Sequence, residues 1–166
     1  MANTFELIAS STVGAGGATS VSFSSIPQTY TDLVLKISSR TNRATVNDGY
    51  YVRFNSSTTG YSGIILYGNG SSAVSSSGTT IIDDAASSTA STFSNAEIYI
   101  PNYTSSNYKS YSVDSVMENN ATTAYVWPVS VLWANTAAIT SIQITPDVGP
   151  NFVQYSTAYL YGVKNA

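Results

Sequence analysis

Hydrophobic residues recur at every second position through most of this chain. Val21 and Phe23 alternate with serines, and Leu33, Leu35 and Ile37 alternate with Val34, Lys36 and Ser38. Tyr111, Val113, Ser115 and Met117 occupy one parity of a later run, and Ser110, Ser112, Asp114, Val116 and Glu118 the other; Ile142 and Ile144 repeat the rhythm. Successive side chains of a strand point to opposite faces, so this period marks strands with one face in a core. No helical period lasts beyond a turn or two. The pattern predicts strands over 5–9, 19–25, 32–39, 50–55, 61–67, 97–100, 108–118, 124–133, 138–145 and 157–163. About ten strands at such spacing predict an all-β fold, an antiparallel β-sandwich of jelly-roll or Greek-key kind, with a barrel as the other all-β solution.

Interruptions of the period carry their own expectations. Pro27 removes a backbone donor and ends the second strand. Pro128 lies inside the apolar run 124–133, which predicts a bulge or an edge there. From Gly68 to Ser91 the chain turns to Ser and Gly, with a short strand at most over Thr79–Ile82. That stretch reads as a long surface excursion, the most mobile or most exposed part of the chain.

Composition narrows the chemistry. The 166 residues suit one domain spanning 1–166. Cysteine and histidine are both absent. Without them there is no disulfide, no thiolate or imidazole metal site, no cysteine nucleophile and no Ser-His-Asp triad. Charged residues make up 9% of the chain, against about 25% in ordinary soluble domains, so Ser, Thr, Asn and Tyr must solvate the surface. The net charge of −3 and scattered basic residues argue against a nucleic-acid partner. No apolar run approaches the roughly 20 residues of a helical membrane span, so no membrane insertion is expected. The opening Met1–Glu6 lacks a signal-peptide pattern, which predicts synthesis in a cytoplasm without the usual export.

Few groups remain as candidates for a site. Asp83-Asp84 lack the spacing of a calcium loop and read as a solvated turn. Glu97, Asp114 and Glu118 could supply a glycosidase-type carboxylate pair, but Asp114 and Glu118 sit two pleats apart beside a turn, and among nine acids some pair always fits, so they read as ordinary surface acids. Gly14-Ala15-Gly16-Gly17 has the glycines of a phosphate loop without its Lys or helix. Arg40 and Arg43 read as solubilising charges, with a grip on a neighbouring subunit's carboxylates as the alternative. No cofactor is implied, and no enzyme. The aromatic residues Tyr50, Tyr51, Tyr61, Tyr67, Trp127 and Trp133 are candidates for a glycan or partner surface, against the plainer role of Tyr as a half-buried strand former.

Three segments carry a resemblance. Residues 11–18 (STVGAGGA) with 23–33 (FSSIPQTYTDL), residues 90–103 (ASTFSNAEIYIPNY) and residues 152–163 (FVQYSTAYLYGV) resemble small virion proteins of tailed phages, marine and cyanobacterial ones especially. The resemblance implies a non-enzymatic virion component on the particle surface, a capsid decoration or knob protein or a short fibre, made in the host cytoplasm and touching other virion proteins. The alternative is a carbohydrate-binding module of a tail fibre that recognises a host surface glycan. Strands at 61–67 and 124–133 would be hazardous as bare edges, since few lysines or prolines guard them. Self-association is therefore expected; a homotrimer follows only by analogy with decoration and fibre proteins.

Overall fold

The computed structural model describes residues 4–121 and 123–164. Among them lie thirteen strands and no helix: β1 (Phe5–Thr12), β2 (Val21–Phe23), β3 (Asp32–Ser39), β4 (Asn47–Phe54), β5 (Tyr61–Gly68), β6 (Ala73–Ser77), β7 (Ile81–Asp84), β8 (Ser94–Ile100), β9 (Lys109–Glu118), β10 (Ala124–Val126), β11 (Val129–Trp133), β12 (Ile142–Pro146) and β13 (Thr157–Val163). They form two antiparallel sheets. The large one has nine strands, running β1-β13-β3-β8-β9, then β10 and β11, then β5, with β6 outside β5; the small one runs β2-β12-β4-β7. The strand count exceeds the expected ten mainly because the Ser-rich β6 carries no alternation and Pro128 splits one run into two.

The sheets pack face to face, and the period-2 residues meet between them. Leu33, Leu35, Ile98, Ile100, Val113, Val131 and Leu160 of the large sheet oppose Val52, Phe54, Ile142 and Ile144 of the small one, all buried. Two close approaches, one at each sheet, require glycine. The Tyr30 ring lies where a Cβ on Gly162 would stand, 2.3 Å from it. Thr80 Cγ2 stands 2.3 Å from the place of a Cβ on Gly49. Neither glycine admits a larger residue without displacing its neighbour.

The Pro128 expectation fails in an instructive way. Val126 stands opposite Val116 and Val129 opposite Val113, so the register with β9 is the same on both sides of the proline. The same holds against β5, where Val126 meets Gly68 and Val129 meets Ile65. There is neither a bulge nor an edge: β10 and β11 are one strand inside the sheet. Pro128 lacks one donor, but its carbonyl still accepts from the Leu66 N–H at 3.0 Å, and the Trp127 N–H donates to the Ser115 carbonyl at 2.7 Å. By the same topology, neither 61–67 nor 124–133 is bare; each is paired on both flanks over most of its length. The sheet edges are β1, β6, β2 and β7.

The Gly68–Ser91 segment also divides. Its first half stays at the surface, although as a strand that the sequence pattern does not announce: β6 hairpins onto β5 and is largely exposed. Its second half does not. Ile81–Asp84 pairs with β4 as a fully buried strand, and Ala85 and Ser88 are buried behind it. Ile81 and Ile82 are the only large apolar residues of that half, and both are hidden.

Candidate functional site

The acids come first, since any chemistry would need them. Asp83 and Asp84 are not a solvated turn; both are wholly buried. Asp83 projects toward the large sheet, where Ser39 Oγ donates to its Oδ2 at 2.9 Å. Its Oδ1 has no partner among the described residues. Burial pushes the Asp83 carboxyl well above the ordinary carboxylate range, with the Asp84 charge adding to the rise and the Ser39 and Ser94 bonds opposing it. Asp84 accepts from Ser88 Oγ at 2.5 Å and Ser94 Oγ at 3.3 Å, and Asn119 Nδ2 donates to Ser88 Oγ at 2.9 Å. This polar cluster seals one end of the core. Among the described residues no group of three or more potential ligands could hold a metal ion.

The remaining acids are engaged or open to water. Glu97 and Asp114 are cross-strand neighbours on the outer face of the large sheet, and Glu97 pairs with Lys36 at 2.9 Å. Glu118 is exposed and accepts from the Asn120 N–H at 2.8 Å. Glu97 and Asp114 line an open outer-face groove of about 500 Å³ together with Lys36, which already takes the Glu97 carboxylate. Arg40 neither solubilises nor reaches outward. It is buried, and its guanidinium donates to the carbonyls of Ala86, Ser88, Thr89 and Thr92 at 2.7–3.2 Å, pinning the loop after β7. Arg43 pairs with the buried Asp48 at 3.3 Å.

The six aromatic candidates do not form one surface. Tyr50 and Trp133 are each 1% exposed and belong to the core. Trp133 stacks on Tyr61 at 6.1 Å and meets the Phe54 edge at 5.5 Å. The Tyr61 hydroxyl accepts the Phe54 N–H at 2.7 Å, tying the large sheet to the small one. Tyr51 and Tyr61 flank Arg53, whose guanidinium lies 4.3 and 4.8 Å from their ring centres. Those two faces are therefore already occupied, although they border an open groove of about 980 Å³.

Tyr67 and Trp127, half-buried like Tyr51 and Tyr61, form the remaining pair. They lie on adjacent strands and stack at 4.6 Å with planes 18° apart. Tyr125 stands edge-on to both, at 5.9 and 5.8 Å. The Trp127 indole N–H donates to the Thr80 carbonyl at 3.0 Å. Together with Arg43, Asn47, Asp147 and Thr80, the pair lines a cleft of about 340 Å³. Tyr125 escaped the sequence reading, although its parity with Trp127 on one strand was the available signal.

A second surface was also missed. On the outer face of the large sheet, Ile64, Leu66, Val116 and Val126 are 53, 50, 39 and 57% exposed. Val116 and Val126 are directly paired, and Ile64 and Leu66 follow each other on the same face of β5. The exposed Pro128, whose carbonyl bonds the Leu66 N–H, links the two pairs. Serines surround them: Ser62, Ser75, Ser77, Ser112 and Ser130. The signal was apolar residues on both parities of 61–67. Comparison with protein-family models, with curated proteins and with solved structures finds no match to this chain.

Proposed function

We propose that this chain is a non-enzymatic structural component of a tailed-phage particle, exposed on its surface as a capsid decoration, knob or short-fibre protein. The observation that carries the reading is the uncharged apolar patch of Ile64, Leu66, Val116, Pro128 and Val126 in a field of serines. Exposed apolar side chains gathered in one patch with a polar rim, rather than scattered singly, are the kind of surface at which proteins meet. The surroundings here cost little to desolvate, because hydroxyls rather than ions ring the patch. The segments resembling phage virion proteins supply the setting, and the absence of His and Cys leaves a binding and packing role in place of catalysis.

The partners in this reading are further copies of the chain and neighbouring virion proteins. Acids flank the patch on the β9 side, as Asp114 and Glu118, whereas the β6 side offers only Ser, Ala, Val and Gly. A two-fold axis along the strands sets each copy's acids over the other's uncharged β6 hairpin, so like charges do not meet. A closed ring of three achieves the same end, and either closed symmetry avoids endless stacking. Mass spectrometry of purified particles tests the setting: the protein is expected there in many copies. Its confinement to the lysate supernatant would overturn the proposal.

One observation favours a second reading, a receptor-recognition module. It is the half-buried, stacked Tyr67–Trp127 pair that lines its cleft.

A further inference from the structure

The large sheet has nine strands and the small sheet four, so the small sheet cannot cover all of the large sheet's inner face. Its cover over β5 and β10 ends beside β7. Tyr67, Trp127 and Tyr125 lie on that inner face at the margin of the cover, where Asn47, Gly49 and Ile82 of the small sheet line a cleft with Tyr67 and Trp127. At about 340 Å³ it falls at the small end of the range for ligand sites, roughly 300–1,000 Å³.

Three features set its chemistry. The first is a rigid aromatic wall. Trp127 is stacked on Tyr67, braced edge-on by Tyr125 and tied through its indole N–H to Thr80. Its orientation is fixed before any ligand arrives, which lowers the ordering cost of binding. An aromatic face is electron-rich, and the C–H face of a pyranose ring is its complement in shape and polarity.

The second is a floor and rim of opposite character. Ile65 and Ile82 are buried at the bottom, while Asn47, Ser76, Thr80 and Asp147 stand around the opening. Amides, hydroxyls and a carboxylate offer donors and acceptors in turn, which is what a polyol presents in return. A purely apolar ligand would leave these groups unpaired. Gly49 keeps the floor closed: any side chain there would collide with Thr80.

The third is charge. One cation, Arg43, faces two carboxylates, Asp48 and Asp147, and Asp48 already takes the Arg43 guanidinium at 3.3 Å. The balance is negative, so phosphates and uronic or sialic acids are disfavoured.

We propose that the Tyr67–Trp127 cleft is a binding subsite for a neutral pyranose carbohydrate. The inference rests on the recognition reading and not on particle residence, so the two fail separately. The test is a titration of the full-length protein, followed by tryptophan emission and by saturation-transfer NMR. The probes are chitotriose, maltotriose and a galactose trisaccharide, with a galacturonate trisaccharide as the anionic control. Trp133 is buried and Trp127 is half-buried with the cleft beside it, so a saturable emission change is expected from Trp127 with at least one neutral probe. That change should persist in Trp133→Phe. Trp127→Ala and Tyr67→Ala should each weaken NMR-detected binding about tenfold or more. The rim variant Asn47→Ala provides a milder second lesion and should weaken binding without altering thermal unfolding. Absence of saturable binding to every neutral probe at millimolar concentration overturns the proposal. So does binding that survives all three cleft substitutions, and so does preference for the galacturonate probe.

Discussion

Trp127 and Trp133 sit on the same strand, on the same face, three pleats apart, about 20 Å at the usual rise per residue. Each is stacked on a tyrosine of β5, Trp127 on Tyr67 and Trp133 on Tyr61. Their immediate surroundings are nearly the same, yet one is core and the other borders a cleft. The difference lies on the opposite sheet. Phe54 of β4 closes over Trp133, whereas Trp127 is half-buried and faces a cleft that Asn47, Gly49 and Ile82 of the small sheet also line. An aromatic pair becomes a surface feature here through the extent of its cover, not through its own sequence.

That comparison predicts unequal substitutions. Trp133→Ala should cost about 3–5 kcal/mol in chemical denaturation, the usual cost of emptying a large buried site. Trp133→Phe should cost much less, because the Trp133 indole N–H has no partner to lose among the described residues. Equal effects of the two would mean that the indole N–H carries an unseen bond. Trp127→Ala should cost only about 1 kcal/mol, the worth of the bond to Thr80 plus partial packing. A loss matching that of Trp133→Ala would erase the distinction.

Asp83, a residue of the small sheet itself, is buried between the sheets without enough partners for its charge. The carboxyl is held above its ordinary range by burial, with the Asp84 charge adding to the rise and the Tyr50 hydroxyl of β4 within reach of its field. A group whose folded value is raised stabilises most below its unfolded value, and that contribution is lost as pH rises toward the folded value. Unfolding free energy should therefore fall as pH climbs above the ordinary carboxylate range. Asp83→Asn should flatten that slope and be at least as stable at neutral pH. A variant that titrates as the unsubstituted protein does would contradict the assignment.

Smaller still in stability is the outer face. Leu66→Glu should leave monomer stability within about 0.5 kcal/mol, as for exposed sites generally, while shifting light scattering from oligomer to monomer. An unchanged oligomer would move the interface elsewhere.

The sequence made the strands legible where one face meets a core, because burial imposes the period: β3, β8, β9 and β12 alternate as the fold requires. It obscured β6, which buries almost nothing, and β7, whose two aspartates look like solvent residues until Ser39, Ser88 and Ser94 are brought to them from distant strands. Arg40 misled for the same reason, since its acceptors are carbonyls that no residue type announces. The candidate site was half legible. Parity placed Trp127 and Trp133 on one face, but which of them the small sheet covers depends on sheet width, a property of pairing across the whole chain. The edge argument also misplaced 61–67 and 124–133, because neighbours in the sheet are not neighbours in sequence.

The central claim is a surface protein of a phage particle that packs by one face of its large sheet and leaves the Trp127 cleft open. An electron-microscopy map of the particle at side-chain resolution tests it most directly. The account predicts two-sheet density on the outer surface, with Ile64, Leu66, Val116 and Val126 against a neighbouring subunit and Trp127 facing solvent. A particle without this density, or one with the cleft buried and the patch bare, would contradict it.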